Sequence, residues 1–291
     1  MKNIERIIVT NERGESLEFS TRSKYHTNKV SGLSDIRNAI YSINSMGQDG
    51  DTYLGNRIQS REIEIFGSIY TQNKTERVTL RRRLNHVLNP QLDLKITYIY
   101  GDFVRVINGR VDNAPVYPPP AVLQDFTIQL ICHLPFWREV NESVTDVAAW
   151  VGLFEFPIEI CFDEGMEFGR REPSLIVNVL NQGDVKTGMR IDFRAIGTVS
   201  TPSILNVNTG EKIQINYTLQ AGDVISISTF YGDKRVTLRS RGMESNAFRH
   251  LDPDSSYIEL AVGDNLLRYD AQAGLDALEV SIFHNNLYLG V

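Results

Sequence analysis

Cysteine is scarce in this chain, with two in 291 residues, Cys132 and Cys161. That is too few for a disulfide scaffold, and both read as reduced, buried, small apolar side chains. No apolar run approaches the roughly 18–20 residues that cross a bilayer. The opening Met1-Lys2-Asn3-Ile4-Glu5 lacks the hydrophobic stretch of a secretory signal. These absences predict a soluble protein made in a reducing cytosol. The sequons Asn73-Lys74-Thr75 and Asn216-Tyr217-Thr218 carry no meaning without secretion. The five histidines, His26, His86, His133, His250 and His284, are scattered, and neither HExxH nor CxxC occurs, so no metal centre is expected. There is no GxSxG elbow for a nucleophile and no glycine-rich phosphate cradle after a strand. Positive charge is not in excess: the formal net charge is −6 and the isoelectric point near 5.5. A dedicated nucleic-acid binder would carry a basic face.

What is present is ordinary globular composition, 42% hydrophobic and 23% charged, which excludes disordered and collagen-like classes. The length suits two domains of roughly 140–150 residues. The break lies near Leu130-Ile131-Cys132-His133-Leu134-Pro135-Phe136-Trp137. Phe126, Ile128 and Leu130 alternate with Thr127 and Gln129 as a strand with one wet face. Proline ends that strand, and Phe136 and Trp137 then need an apolar seat, such as a junction between domains. The domains are drawn at 1–138 and 139–291.

In the first half, Ile4–Thr10 and Glu15–Ser20 read as a hairpin, Arg57–Ile69 as one long strand, and Leu92–Tyr100 with Phe103–Val111 as a hairpin about Gly101-Asp102. Thr71–Leu88 is the one clear helix, with Leu80, Leu84, Val87 and Leu88 at helical spacing, Thr71 or Asn73 as cap and Asn89-Pro90 as stop. Ser31–Ser45 is ambiguous, since Ile36, Ile40 and Ile43 fit helical spacing while Ser and Asn dilute it. Pro115 and Pro118–Pro120 make a stiff connector. The second half gives a succession of strands: Leu175–Leu180, Met189–Ile196, Ile204–Val207, Lys212–Asn216, Val224–Thr229, Arg235–Arg239, Ser256–Leu260, Asn265–Tyr269 and Leu278–Phe283. Turn signals about every 8–12 residues indicate a sandwich or barrel.

Candidate chemistry is thin. Cys132 and His133 are neighbours on a strand and point to opposite faces, so they cannot easily share an ion. His250-Leu251-Asp252-Pro253-Asp254 resembles an acid-base patch but is equally a type I turn. Glu155, Glu159, Asp163, Glu164 and Glu167 cluster in sequence as glycosidase carboxylates might, yet clustering says nothing of the separation the mechanism requires, and a solvated face explains them. Arg77, Arg81, Arg82 and Arg83 read as a solvated helix face or a subunit contact. No catalytic, cofactor-binding or metal-binding residue is assigned.

The chain as a whole resembles the distal tail proteins of siphophages, the Dit family. In the first half the likeness rests on the hairpin, long strand, helix with Arg81-Arg82-Arg83-Leu84-Asn85 leading to Asn89-Pro90, second hairpin, and closing strand into Leu134-Pro135-Phe136-Trp137. In the second it rests on Pro173-Ser174-Leu175-Ile176-Val177, Asn208-Thr209-Gly210-Glu211-Lys212-Ile213, Leu219-Gln220-Ala221-Gly222-Asp223 and Val262-Gly263-Asp264-Asn265. The resemblance implies a mainly β protein of two domains: an N-terminal β-sandwich with one helix and hairpin that forms a ring, and a C-terminal galectin-like β-sandwich. It implies a virion structural protein without enzymatic activity or cofactor, a hexameric hub at the tail tip or baseplate. The implied partners are the major tail tube protein, the tail-associated hub or lysin protein, the tape measure protein and a receptor-binding protein, with no membrane and no specific nucleic-acid binding. Loops Gly47–Gly55 and Glu139–Gly152 are longer than the resemblance leads one to expect. Exposed edges of Arg57–Ile69 and Leu92–Val111 would be natural joining surfaces, and net negative charge suits a lumen through which DNA slides. The competing readings are a carbohydrate-binding module for host cell-wall adsorption and a cell-wall glycosidase.

Overall fold

The computed structural model describes residues 5–119, 123–146, 150–152, 169–171 and 176–291. The protein is mainly β and folds as two compact units, Met1–Val140 together with Leu287–Val291, and Asn141–Asn286. The residues 287–291, read in sequence as part of the second half, thus belong to the first.

The first unit contains strands β1 (Glu5–Asn11), β2 (Ser16–Ser20), β3 (Tyr25–Ser31), β4 (Asn38–Ile43), β5 (Thr52–Ile58) and β6 (Arg61–Ile69), helix α1 (Lys74–Val87), and strands β7 (Leu94–Tyr100), β8 (Phe103–Val116), β9 (Gln124–Cys132) and β10 (Trp137–Arg138). The sandwich expected here takes the form of one sheet curled on itself. Its order is β8-β7-β1-β2-β3-β6-β9, and β9 pairs back onto β8, so seven strands close a barrel. Period-two alternation fills the interior: Ile7 and Val9, Leu17 and Phe19, Ile63, Ile65 and Ile69, Ile96, Ile107, Phe126, Ile128 and Leu130 are all buried. Leu84, Val87 and Leu88 of the helix end add to this core. The β7–β8 hairpin turns at Gly101, whose φ of +61° lies where side-chain-bearing residues are disfavoured.

Closure overturns one sequence expectation. β6 is paired on both sides, by β3 and β9, and β7 is paired by β1 and β8, so neither offers a free edge. The long strand expected over Arg57–Ile69 is also two strands with different partners: β5 pairs β4, and β6 begins only at Arg61. Pro115, expected in the connector, lies within β8, where the pairing with β9 shifts register.

The second unit contains β11 (Ser143–Asp146), β12 (Trp150–Gly152), β13 (Gly169–Arg171), β14 (Ile176–Asn181), β15 (Met189–Ala195), β16 (Val199–Asn206), β17 (Lys212–Gln214), β18 (Thr218–Leu219), β19 (Val224–Ser228), β20 (Arg235–Ser240), β21 (Met243–Asn246), β22 (Gly263–Ala273) and β23 (Leu278–His284). β24 (Leu287–Tyr288) returns to the first unit. Two antiparallel sheets, β11-β23-β15-β19-β20-β21 and β14-β22-β16-β17 with β18 on β16, share one apolar core. Ile191, Phe193, Ile225, Ile227, Val280 and Ile282 from one sheet meet Val179, Ile204, Leu267 and Tyr269 from the other. This is sandwich packing. The strand expected over Ser256–Leu260 is absent: Leu260 makes an isolated bridge with Thr187. Ile258 and Leu260 are nonetheless buried, so the alternation recorded burial without a ladder.

Candidate assembly surface

β4 and β5 form a hairpin outside the barrel sheet, and most of its large apolar residues are left uncovered by the described residues. Ile40, Tyr41, Ile43, Met46, Tyr53 and Leu54 are each more than half exposed. A two-stranded hairpin alone in water is marginal, and this many exposed large apolar side chains on one arm mark a place where something binds. The ambiguous segment Ser31–Ser45 is therefore strand where it meets Thr52–Ile58. Its helical spacing had no meaning because neither face is buried.

The arm springs from a rigid root built on Arg61, which is 1% exposed. Arg61 stands in phase with Ile63, Ile65 and Ile69, so its side chain enters the barrel. Its Nε donates to the Pro135 carbonyl at 2.7 Å, and Nη1 to the carbonyls of Gly32 at 2.8 Å and Leu33 at 3.0 Å. Nη2 donates to the Leu289 carbonyl. No carboxylate accepts from it among the described residues; burial pushes the guanidinium below its ordinary value, opposed by Cys132 and Asp35. Gly32 has φ +83°, and a Cβ there would lie 1.9 Å from the Glu62 carbonyl oxygen. Outside this knot Arg37 pairs with Glu62 at 3.1 Å, and Gln59 N donates to the Arg37 carbonyl at 2.9 Å.

The same knot holds residues 287–291. β24 pairs with β10, Tyr288 opposite Trp137. Trp137 is fully buried in this unit and donates its Nε1–H to the Leu33 carbonyl at 2.9 Å. The Tyr288 hydroxyl donates to Glu139 Oε1 at 2.7 Å, the Arg105 guanidinium lies 4.2 Å from the Tyr288 ring centroid, and Ser34 Oγ donates to the Val291 carbonyl at 2.9 Å.

Helix α1 is capped by Asn73, whose Oδ1 accepts from Thr75 N at 2.9 Å, while the Thr71 hydroxyl donates to the Glu76 carboxylate. The helix carries Lys74, Arg77, Arg81, Arg82 and Arg83 against one carboxylate, Glu76, which pairs with Lys24 at 3.1 Å. Arg81 lies over the Tyr117 ring at 4.3 Å, and burial pushes the Tyr117 phenol up to about 12. Arg82 and Arg83 are exposed and form no ion pair with any described residue. Val78 on the same helix is also exposed, to 63%.

The sequence candidates do not converge. Cys132 is buried and its thiol pushed up to about 12 by desolvation, while His133 is exposed. Asp252 is an acceptor within a turn, taking bonds from Asn216 Nδ2 at 2.7 Å and Asp254 N at 2.9 Å. Those bonds hold its carboxyl below the usual range. His250 packs on Tyr217, ring centroids 4.6 Å apart. Glu155, Glu159, Asp163, Glu164, Glu167 and Cys161 lie outside the described residues. Among the described residues no group of three or more metal-ligating side chains forms, and no helix is long and apolar enough to cross a membrane. Sequence reasoning missed Arg61 and the return of residues 287–291. A signal for the first existed, a lone arginine in the buried phase of an alternating strand.

Two family models match the sequence: one described as a phage tail protein RIFT-related domain over residues 12–132, the other as a siphovirus-type tail component, C-terminal domain, over residues 182–286. No curated protein matches it. Among solved structures the fold is similar to that of the SPP1 Dit (gp 19.1) protein, described as a paradigm of the hub adsorption apparatus in phages that infect Gram-positive bacteria. The TM-score is 0.70 at 15% identity, covering 97% of this chain and 98% of that one. It is also similar to a chain of the phage P2 baseplate in its activated conformation, with a TM-score of 0.54 at 12% identity and the same coverage. With both halves matched in order, and one fold shared along nearly the whole length, the chain belongs to the siphophage distal tail protein family.

Proposed function

We propose that this protein is a virion structural component, without catalytic activity, that forms a hexameric hub ring at the tail tip. The ring joins the tail tube to the tape measure and hub or lysin proteins, while the second unit docks receptor-binding or other baseplate proteins. The observation that carries the reading is the β4–β5 arm. Each of the seven barrel strands is paired on both sides, so the projecting apolar hairpin on its Arg61 root is the surface assigned here to grasping a neighbour. Six such contacts of one kind close a ring, because heterologous interfaces close when the rotation per subunit fits. Similarity to SPP1 Dit and to the P2 baseplate chain supports the tail-tip placement.

Light scattering on the eluting protein, with electron microscopy of the same fractions, tests the ring. The expected result is a species of six chains with a central hole, its share rising with concentration. A single chain at every concentration would overturn the reading.

A further inference from the structure

We propose that the hairpin arm of one copy seats on helix α1 of the next copy, with Asp49 and Asp51 at the arm's tip meeting Arg82 and Arg83. This deepens the ring proposal and rests on it: it names the receiving surface.

The argument is one of complementarity in both charge and apolar content. The arm's closing loop, residues 44–51, carries Asp49 and Asp51 and no cation, and both carboxylates are exposed. Asp51 accepts only a hydroxyl bond, from Ser42 at 3.1 Å. Across the first unit most exposed carboxylates near a cation are already answered: Glu62 by Arg37, Glu76 by Lys24, Asp93 by Arg110. Arg82 and Arg83, on a helix with five cations and one carboxylate, are answered by no carboxylate among the described residues. Each surface also presents bare apolar groups, Ile40, Tyr41, Tyr53 and Leu54 on the arm and Val78 on the helix. An apolar centre with a charged rim is the ordinary anatomy of a protein interface. Strands of six and seven residues carry the tip about 20 Å from the root at about 3.3 Å per residue. The two surfaces differ, so the contact is heterologous, as ring closure demands. Opposed charges fix the direction of travel around the ring, since like charges juxtaposed in a reversed neighbour would repel.

Charge reversal tests this with the full chain. The variants are Arg82→Glu with Arg83→Glu, Asp49→Lys with Asp51→Lys, and all four together; every position is exposed, so folding is preserved, which circular dichroism checks. The concentration for half-assembly, read by light scattering at low salt, is expected to rise at least about tenfold in each double variant. It is expected to return to within about threefold of the parent when all four are combined, because every contact is then again between opposite charges. Double variants that assemble like the parent, or a fourfold variant that assembles no better than they do, would overturn this docking while leaving the ring itself standing. A parent protein that never leaves the single-chain state would overturn both.

Discussion

Arg61 is a buried cation neutralised by peptide dipoles. Desolvating a guanidinium costs several kcal/mol unless every donor finds an acceptor. Here the acceptors are carbonyls from three separate segments, 32–35, 135 and 289. Replacing it leaves those carbonyls unanswered and a cavity behind them, so Arg61→Ala is expected to cost about 3–5 kcal/mol in urea unfolding of the first unit. Arg61→Lys is expected to recover little of that, since a single ammonium cannot present the fork of donors. A cost below about 1 kcal/mol for Arg61→Ala would show the knot to be incidental. Trp137→Ala removes a fully buried ring and its bond to Leu33, with a similar expected cost of about 3–5 kcal/mol. Two acids close to this core give a pH signature. The folded Cys132 and Tyr117 hold their protons to about 12, above their ordinary 9.0 and 10.0. The folded state thus binds more protons than the unfolded one across that window. What these two groups contribute to the stability of the first unit is fully present below pH 9 and is lost between pH 9 and 12. Denaturant titrations at pH 8 and pH 10.5 check the slope, and alkylation mapped to Cys132 is expected to be absent at pH 8 until the protein unfolds.

The barrel strands were legible because each buries one face, and alternation follows burial. Ile63, Ile65 and Ile69, or Phe126, Ile128 and Leu130, could be read directly. Helix α1 was legible from its leucines, its Asn73 cap and Asn89-Pro90. The arm was not, because alternation and helical spacing both report a buried face, and β4 and β5 bury neither. Nor could closure be read: that β9 returns to β8 depends on long-range register, invisible in either strand alone. Ser256–Leu260 shows the opposite error, burial without a ladder. The arm's independence has a consequence. Since its side chains contribute nothing to the barrel core, replacing residues 38–58 by a short Gly-Ser turn is expected to change first-unit stability by less than about 1 kcal/mol, as for surface changes remote from a core. The same replacement removes the surface proposed for ring formation. A large loss of stability would instead make the arm a structural prop. Retained rings would remove it from the assembly surface.

The two units differ in kind: one is a closed barrel with an arm and a helix, the other a pair of sheets around a separate core. Cores that share no residue can melt separately. The chain nevertheless visits the first unit twice, and residues 287–291 enter its packing through β24, Leu289 and Val291. Those residues stand more than 220 positions from Arg61 in sequence, |i−j| being 228 for Leu289. The first unit is therefore complete only after the second has been traversed, which raises its effective contact order and should slow its closure. Deleting residues 287–291 is the decisive perturbation. In calorimetry the transition of the first unit is expected to move down by several degrees, about 2–4 °C for each kcal/mol lost in a unit of nearly 150 residues. The transition of the second unit is expected to stay in place, because β11 through β23 keep every ladder they have. If both transitions moved together by the same amount, the cores would be thermodynamically one, and the proposed division of labour between the barrel and the sandwich would lose its physical basis.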